Sequence, residues 1–420
     1  MEIDSQSYKS TLDRDPYQFY ANLHWQGKVV WDAGMKAWLV PSYEVCKEIM
    51  RADDISFKMP EKLNAERRHK LAEVQGGPRV VTILEGDDHK RMHQWWLRAF
   101  SPRRIATWRE SVIRPITNRI IDRFIERGTA DLSAEFAQLV PIRVIAAVTG
   151  LPWEDDSWVG EVKSLNDQVL AIFSSAPTNS EAENANVVSG ARAAAEKLDA
   201  MLRPFVLRRR SRPGDDLISA LWRDGPQLLP EWSELDVLAN LRMMIQGGAD
   251  TTAHAIANAC MLLLTQPTLS EEIRSGGESK ANTFVEEVLR LHGPVHFRSR
   301  STLADVTIVG CPFLRGDAVI PVVAAANRDP THYERPEEVN LDRQSPTDHF
   351  AFHFGIRMCV GSALARAEIL DAVNALLARM VDLKPDASLQ PPRFTGWLLR
   401  SYCPINVRFT PGVAGQGTSR

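Results

Sequence analysis

Apolar residues recur at helical spacing over most of the chain. From about residue 88 to 210 they fall three or four positions apart, as at Trp96 and Phe100, and this spacing predicts a series of helices. Residues 235–264 form one long, largely apolar stretch, which is typical of a helix in the core of a large domain. A further helix is predicted from about residue 360 to 380.

Residues that favour strands alternate only in short segments. Two of them, 28–31 and 37–40, flank the turn-forming triplet Asp32-Ala33-Gly34 and predict a small hairpin. A second small sheet is predicted over 305–323, and strand-like alternation over 398–409 closes the chain. Helical segments precede and follow each strand pair, so neither a doubly wound sheet nor a β-sandwich fits. The pattern predicts a mainly α fold with small β-sheets.

The length of 420 residues allows either two modest domains or one large one. An α-rich pattern that continues along the chain favours one domain over residues 1–410, with 411–420 as a flexible tail. A net charge of −3 predicts no general attraction to nucleic acid. The polar N-terminus has no apolar run typical of a signal peptide or membrane anchor, so a cytoplasmic enzyme is expected.

The segment 352–361 contains the most informative candidate chemistry. Cys359 lies just before a predicted helix, where backbone N–H groups and the helix dipole favour a thiolate. Gly355 and Gly361 would let the backbone approach a flat cofactor, Phe352 could shield the sulfur, and Arg357 could bind a carboxylate. On the cysteine alone, a buried free thiol is the commoner outcome.

This segment resembles the cysteine-ligand loop of the cytochrome P450 family, Phe-x-x-Gly-x-(Arg/His)-x-Cys-x-Gly, at every fixed position. The resemblance implies a single-domain P450 fold that holds haem between the long central helix and the cysteine loop. It also implies that the Cys359 thiolate is the axial ligand of the iron in haem b, iron protoporphyrin IX.

Two adjacent glycines interrupt the long apolar helix, at a cost of roughly 1 kcal/mol each relative to alanine. Close helix packing would explain Gly247 and Gly248, with Thr251 bonded to the preceding turn and Asp250 paired with a cation. The run Gly247-Gly248-Ala249-Asp250-Thr251 also resembles the family's oxygen-activation motif. That resemblance implies a groove for dioxygen at the glycines and a catalytic proton relay through Asp250 and Thr251.

Glu287 and Arg290 lie three positions apart on one helix, a spacing that by itself is commonest in weak surface ion pairs. In the family, Glu-x-x-Arg joins a later arginine, here Arg343, to support the cysteine loop. The resemblance therefore implies a structural role for this triad.

The resemblance also implies cations for the haem propionates. Arg300 and Arg357 match family arginines, and His89 with His93 matches the helix motif His-x-x-x-Arg. His93 stands where many bacterial members have arginine, so its contribution would vary with pH.

The implied reaction inserts one oxygen atom from dioxygen into a hydrophobic small molecule. Electrons would come from NAD(P)H through a reductase and a ferredoxin or flavodoxin. Two alternatives remain open: a haem-thiolate peroxygenase or isomerase, and a non-enzymatic haem carrier or sensor. Neither would require the pair Asp250 and Thr251.

By family position, the substrate pocket should be lined by residues from several separate segments, most of them apolar. These residues are Val81, Ile83, Met243, Gln246, Gly247, Val295, His296 and Leu398. Gln246 and His296 could hydrogen-bond a polar group of the substrate.

Overall fold

The computed structural model describes residues 2–3, 15–64, 69, 72, 74–174 and 181–412. Helices make up most of it. They are α1 (Pro16–Gln26), α2 (Tyr43–Arg51), α3 (Gly86–Ala99), α4 (Pro102–Trp108), α5 (Arg114–Asp122), α6 (Leu139–Thr149), α7 (Asp156–Ser174), α8 (Glu181–Ser211), α9 (Leu217–Leu228), α10 (Glu234–Thr265), α11 (Pro267–His292), α12 (Val323–Ala326) and α13 (Ser362–Arg379). Short π-helical segments at Arg109–Ile113 and Ser133–Ala137 precede α5 and α6.

The strands are short. They are β1 (Glu2–Ile3), β2 (Val30–Asp32), β3 (Ala37–Val40), β4 (Phe57–Lys58), β5 (Thr129–Asp131), β6 (Arg300–Thr302), β7 (Val306–Ile308), β8 (Cys311–Phe313), β9 (Ala318–Pro321), β10 (Met380–Pro385), β11 (Arg393–Thr395), β12 (Ser401–Cys403) and β13 (Asn406–Pro411). A six-stranded sheet has the order β1-β2-β3-β9-β6-β4 and a three-stranded sheet the order β10-β13-β5, while β11-β12 and β7-β8 form separate pairs. The predicted mainly α fold with small sheets is confirmed.

Helix α10 runs through the centre of the main core and packs against α6, α8, α11 and α13. Its start is fixed by a capping box, in which the Ser233 backbone N–H donates to the Asp236 carboxylate at 2.8 Å. The helix is buried on nearly every side, which explains why its sequence is apolar without a polar stripe.

The predicted element boundaries need three corrections. Asp32 ends β2 instead of opening the turn, where its carboxylate accepts the Met35 N–H at 2.9 Å. The predicted second sheet over 305–323 is divided, because β7 pairs with β8 whereas β9 runs parallel to β3. Pro411 lies in β13 opposite Met380, so the predicted tail begins later, and residues 413–420 lie outside the described part.

Candidate active site

The cysteine loop forms a tight turn before α13. The Cys359 N–H donates to the Phe352 carbonyl at 2.9 Å and closes the loop. Gly355 has φ +74°, and a Cβ atom there would lie 3.0 Å from the Met50 carbonyl oxygen, so this close approach to α2 requires glycine. The guanidinium of Arg366 lies 4.5 Å from the centre of the Phe352 ring. This framework leaves the Cys359 side chain accessible.

The electrostatic setting of Cys359 differs in balance from the sequence-based expectation. Although part of the side chain is accessible, the surrounding protein displaces water, and this burial raises the pKa of the Cys359 thiol. Backbone N–H groups of Gly361 and Ser362 act in the expected direction but do not outweigh it. The helix start alone therefore does not produce a thiolate. A bound metal ion would, because coordination deprotonates a thiol.

The two glycines of α10 face different surroundings. A Cβ atom on Gly248 would lie 2.8 Å from Cδ1 of Ile145 on α6, so this glycine serves close packing. Gly247 is exposed in the middle of a buried helix, and a Cβ atom there would meet nothing within 4 Å. The Thr251 hydroxyl donates to the Gly247 carbonyl at 2.7 Å. This face of α10 therefore borders open space that a ligand could occupy.

Asp250 lies one residue before Thr251 and contacts helix α7. Its carboxylate accepts a hydrogen bond from Asn166 Nδ2 at 3.1 Å, so its partner is an amide and not the cation considered from the sequence. Burial raises the pKa of Asp250 to about 6, and Asp167 also raises it, whereas Lys163 and Asn166 oppose the shift. A carboxyl group with this pKa can hold or release a proton near neutral pH.

Glu287, Arg290 and Arg343 form a buried ion cluster below the cysteine loop. Arg290 donates to the Glu287 carboxylate through Nε at 2.7 Å and Nη2 at 2.9 Å, and Arg343 donates through Nε at 2.8 Å. The pKa of Glu287 is lowered: burial alone would raise it, but the hydrogen bonds from Arg290 and Arg343 prevail. Because both Glu287 and Arg290 are 0% exposed, neither charge could remain there without the other.

The two arginines predicted for the propionates each face an aspartate. Arg300 donates to Asp53 through Nε at 2.5 Å and Nη2 at 2.8 Å. Arg357 donates to the neighbouring Asp54, through Nε at 2.9 Å. Both guanidinium groups therefore already have a carboxylate partner within the protein.

The two histidines of α3 lie against the cysteine loop. His93 Nε2 is 2.8 Å from the Met358 carbonyl oxygen, so the ring donates to the loop backbone. His89 is buried, and burial, Arg357 and His93 together lower its pKa to about 4. An uncharged His89 could offer a propionate only a neutral N–H group.

The residues predicted for the substrate pocket fall into two groups. Gly247 is exposed, and Met243, Val295 and Leu398 are half-buried. The other four are buried, namely Val81, Ile83, Gln246 and His296. Gln246 donates to the Val74 carbonyl at 3.1 Å, and His296 Nδ1 is 2.7 Å from the Tyr20 hydroxyl. Both predicted polar contacts thus already have a partner within the protein.

Comparison with known proteins agrees with this arrangement. A sequence model of the family described as Cytochrome P450 matches residues 281–401. The polyketide biosynthesis cytochrome P450 PksS of Bacillus subtilis is 31% identical over 83% of this chain and 82% of its own length. Cytochrome P450 107B1 of Saccharopolyspora erythraea is 31% identical over 84% of each chain. The chain belongs to the cytochrome P450 family. Among solved structures, myxobacterial cytochrome P450 CYP267B1 in complex with myristic acid matches with a TM-score of 0.80 and 27% identity, covering 96% of this chain and 99% of that one.

The protein is therefore a P450 oxidoreductase, and P450 enzymes carry haem with a cysteine thiolate ligand. The residues present fit that group. Cys359 provides a single accessible sulfur, and Gly247 borders unfilled space on the helix that packs against α13. Cys359 would hold the iron, and Gly247 and Gly361 would leave room for the porphyrin.

Several residues at the site were not found by sequence reasoning. Asp53 and Asp54 lie in a loop far upstream of the arginines that they pair with, and Asn166 lies on a different helix from Asp250. His353 accepts a hydrogen bond from Arg300 Nη2 at 2.7 Å and has a positive φ of 66° inside the cysteine loop. No local pattern marks these partners, because the fold alone brings them to the site. Within the described residues, no helix combines the length and apolarity needed to cross a bilayer.

Proposed function

We propose that this P450 is a monooxygenase that inserts one oxygen atom from dioxygen into a hydrophobic small molecule, with Cys359 as the iron ligand. The observation that carries the proposal is the pairing of an accessible Cys359 with the open face of α10 at Gly247, beside Asp250 and Thr251. Bound haem supplies the dioxygen chemistry. The protein supplies the ligand, the space and the protons.

Asp250 and Thr251 have distinct roles in this proposal. With a pKa of about 6, Asp250 can take a proton from the α7 side, where it contacts Asn166. The Thr251 hydroxyl is held at the open face by its bond to the Gly247 carbonyl. A proton could therefore pass from the Asp250 carboxyl to the site without general exposure to water.

The electron donor is proposed to be a ferredoxin or flavodoxin, reduced by an NAD(P)H-dependent reductase in the cytoplasm. P450 enzymes typically use such separate partners. Helix α3 contacts the cysteine loop through His93 and carries exposed Arg98, and Arg103 on α4 is also exposed. The basic residues predicted as a docking surface thus lie on two helices, and an acidic protein could approach the ligand side there.

The identity of the iron ligand is tested by the carbon monoxide difference spectrum of the reduced protein. We expect a red-shifted Soret band in the wild type and in Cys311→Ser, which changes a half-buried cysteine outside the loop. Cys359→His should lose that band. A folded wild type that contains no haem, or that gives the spectrum of a histidine-ligated haem, would refute the proposal.

The relay role is tested by Thr251→Ala with an identified substrate. We expect more hydrogen peroxide and less product per NAD(P)H consumed, because the hydroxyl that holds a proton at the open face is lost. Unchanged coupling would remove Thr251 from the relay. Product formation with hydrogen peroxide alone, without an electron donor, would instead favour a peroxygenase.

The substrate class is proposed from the apolar residues at the site, which include Met243, Val295 and Leu398. Fatty acids are reasonable first compounds, because a 27% identical relative was solved with myristic acid. A shift of the haem spin state on addition of the compound would report binding.

A further inference from the structure

Arg298 is a cation without an anion in this structure. Its backbone N–H donates to the Pro321 carbonyl at 3.0 Å, which fixes it beside the edge of β6 and β9. Its side-chain Nε is buried and has no hydrogen-bond partner. Among the residues that the structure describes, no carboxylate forms an ion pair with it. An uncompensated guanidinium inside a protein is costly, so a partner is expected.

The surroundings of Arg298 define where that partner would lie. Burial lowers the pKa of Arg298 to about 10, and Arg300 lowers it further by repulsion, whereas Cys359 and Asp53 oppose the shift. Arg298 is therefore close enough to Cys359 for their charges to interact. The missing anion belongs to the space next to the proposed iron ligand.

The neighbouring cations are already engaged. Arg300 donates to both oxygens of Asp53 and also to the Ser299 carbonyl and to His353. Arg357 donates to Asp54 and, at 3.3 Å, to the Val81 carbonyl. Sequence resemblance selects these two arginines for carboxylate binding, but the geometry leaves Arg298 as the one of the three with no internal carboxylate.

We propose that Arg298 binds a carboxylate of a molecule held beside Cys359, either a haem propionate or the carboxylate of a substrate. The inference rests on the proposed function, because it assumes haem on Cys359. A guanidinium can grip a carboxylate with two parallel N–H···O bonds, and this geometry gives selectivity for carboxylates. Proximity to Cys359 and Arg300 favours the propionate as the source.

The haem arm of the test measures haem loss from the holoprotein to excess apomyoglobin. Arg298→Gln should lose haem about 10-fold to 100-fold faster, since a charge-assisted hydrogen bond is removed. Arg298→Lys, which keeps the charge, should be intermediate. Arg315→Gln, at an exposed arginine in the turn after β8, serves as the matched control and should behave as wild type. With haem dimethyl ester, which has no free carboxylate, wild type and Arg298→Gln should become equal.

The substrate arm compares myristate with 1-tetradecanol in spin-state titrations. If Arg298 binds a substrate carboxylate, Arg298→Gln should weaken the binding of myristate by about 10-fold or more and leave the alcohol unchanged. Haem loss would then match wild type.

The outcomes separate the two proposals. Faster haem loss that depends on the propionates, or a loss of affinity restricted to myristate, supports the inference. Haem loss equal to wild type, without any carboxylate-selective loss of ligand binding, overturns it while the carbon monoxide spectrum still supports the proposed function. A wild type without thiolate-ligated haem would refute both.

Discussion

Replacement of Glu287 by glutamine should destabilise the protein more than any surface change. The Glu287 carboxylate accepts hydrogen bonds from Nε and Nη2 of Arg290, from Nε and Nη2 of Arg343, and from the Asn340 backbone N–H. Glutamine has no charge, and its amide would direct N–H groups at these donors. Arg290 would then be a buried cation without a counter-ion.

The magnitude follows from the burial of the pair. Arg290 is 0% exposed, and its remaining N–H groups donate to the carbonyls of Asn327, Pro336 and Glu338, so its guanidinium cannot turn toward water. Removal of one partner of such a pair costs about 3–5 kcal/mol. Since whole proteins are stable by only about 5–15 kcal/mol, this loss is a large share of the total.

Urea unfolding followed by far-UV circular dichroism measures the effect. The control is Glu338→Gln, which removes the charge of an ion pair with Arg335 in which both side chains are more than half exposed, and which should change stability by less than about 1 kcal/mol. A Glu287→Gln variant as stable as this control would refute the reasoning.

The pH dependence gives a second check on the same residue. Because the pKa of Glu287 is lowered in the folded protein, its stabilising contribution is present above the ordinary carboxyl value of about 4.3 and is lost as the pH falls through the lowered value. The stability difference between wild type and Glu287→Gln should therefore shrink in acid.

Three further results are expected. Gly248→Ala should destabilise the protein by about 1–3 kcal/mol, because its Cβ would lie 2.8 Å from Ile145 Cδ1, as urea unfolding would show. Gly247→Ala meets no such contact and should gain up to about 1 kcal/mol from helix propensity while it alters ligand-induced spin-state spectra; unchanged spectra would place Gly247 away from the ligand. Asp250→Asn should slow turnover by about 100-fold and abolish a rate limb near pH 6, and Asn166→Ala should move that limb to higher pH because the amide lowers the pKa of Asp250. A limb that stays in place in both variants would contradict the assignment to Asp250.

Local sequence was a good guide where the chemistry is compact. The cysteine loop, the glycine pair of α10 and Glu287 with Arg290 each lie within ten residues, so their spacing could be read directly. The structure assembles Glu287, Arg290 and Arg343 in one cluster and leaves Cys359 accessible. The exposures of the predicted pocket residues were not predictable, because His296 and Gln246 use their polar atoms on the protein itself.

The sequence by itself determined the mainly helical fold, the central helix and the cysteine loop, since these depend on hydrophobic periodicity and on residues close in the chain. Only the tertiary structure decided which charges meet. Asp53 pairs with Arg300 across 247 positions, and Asn166 reaches Asp250 across 84. The same packing leaves Arg298 without a carboxylate beside Cys359. Ion pairing acts through space, so no local pattern could show which arginine remains available to bind a ligand.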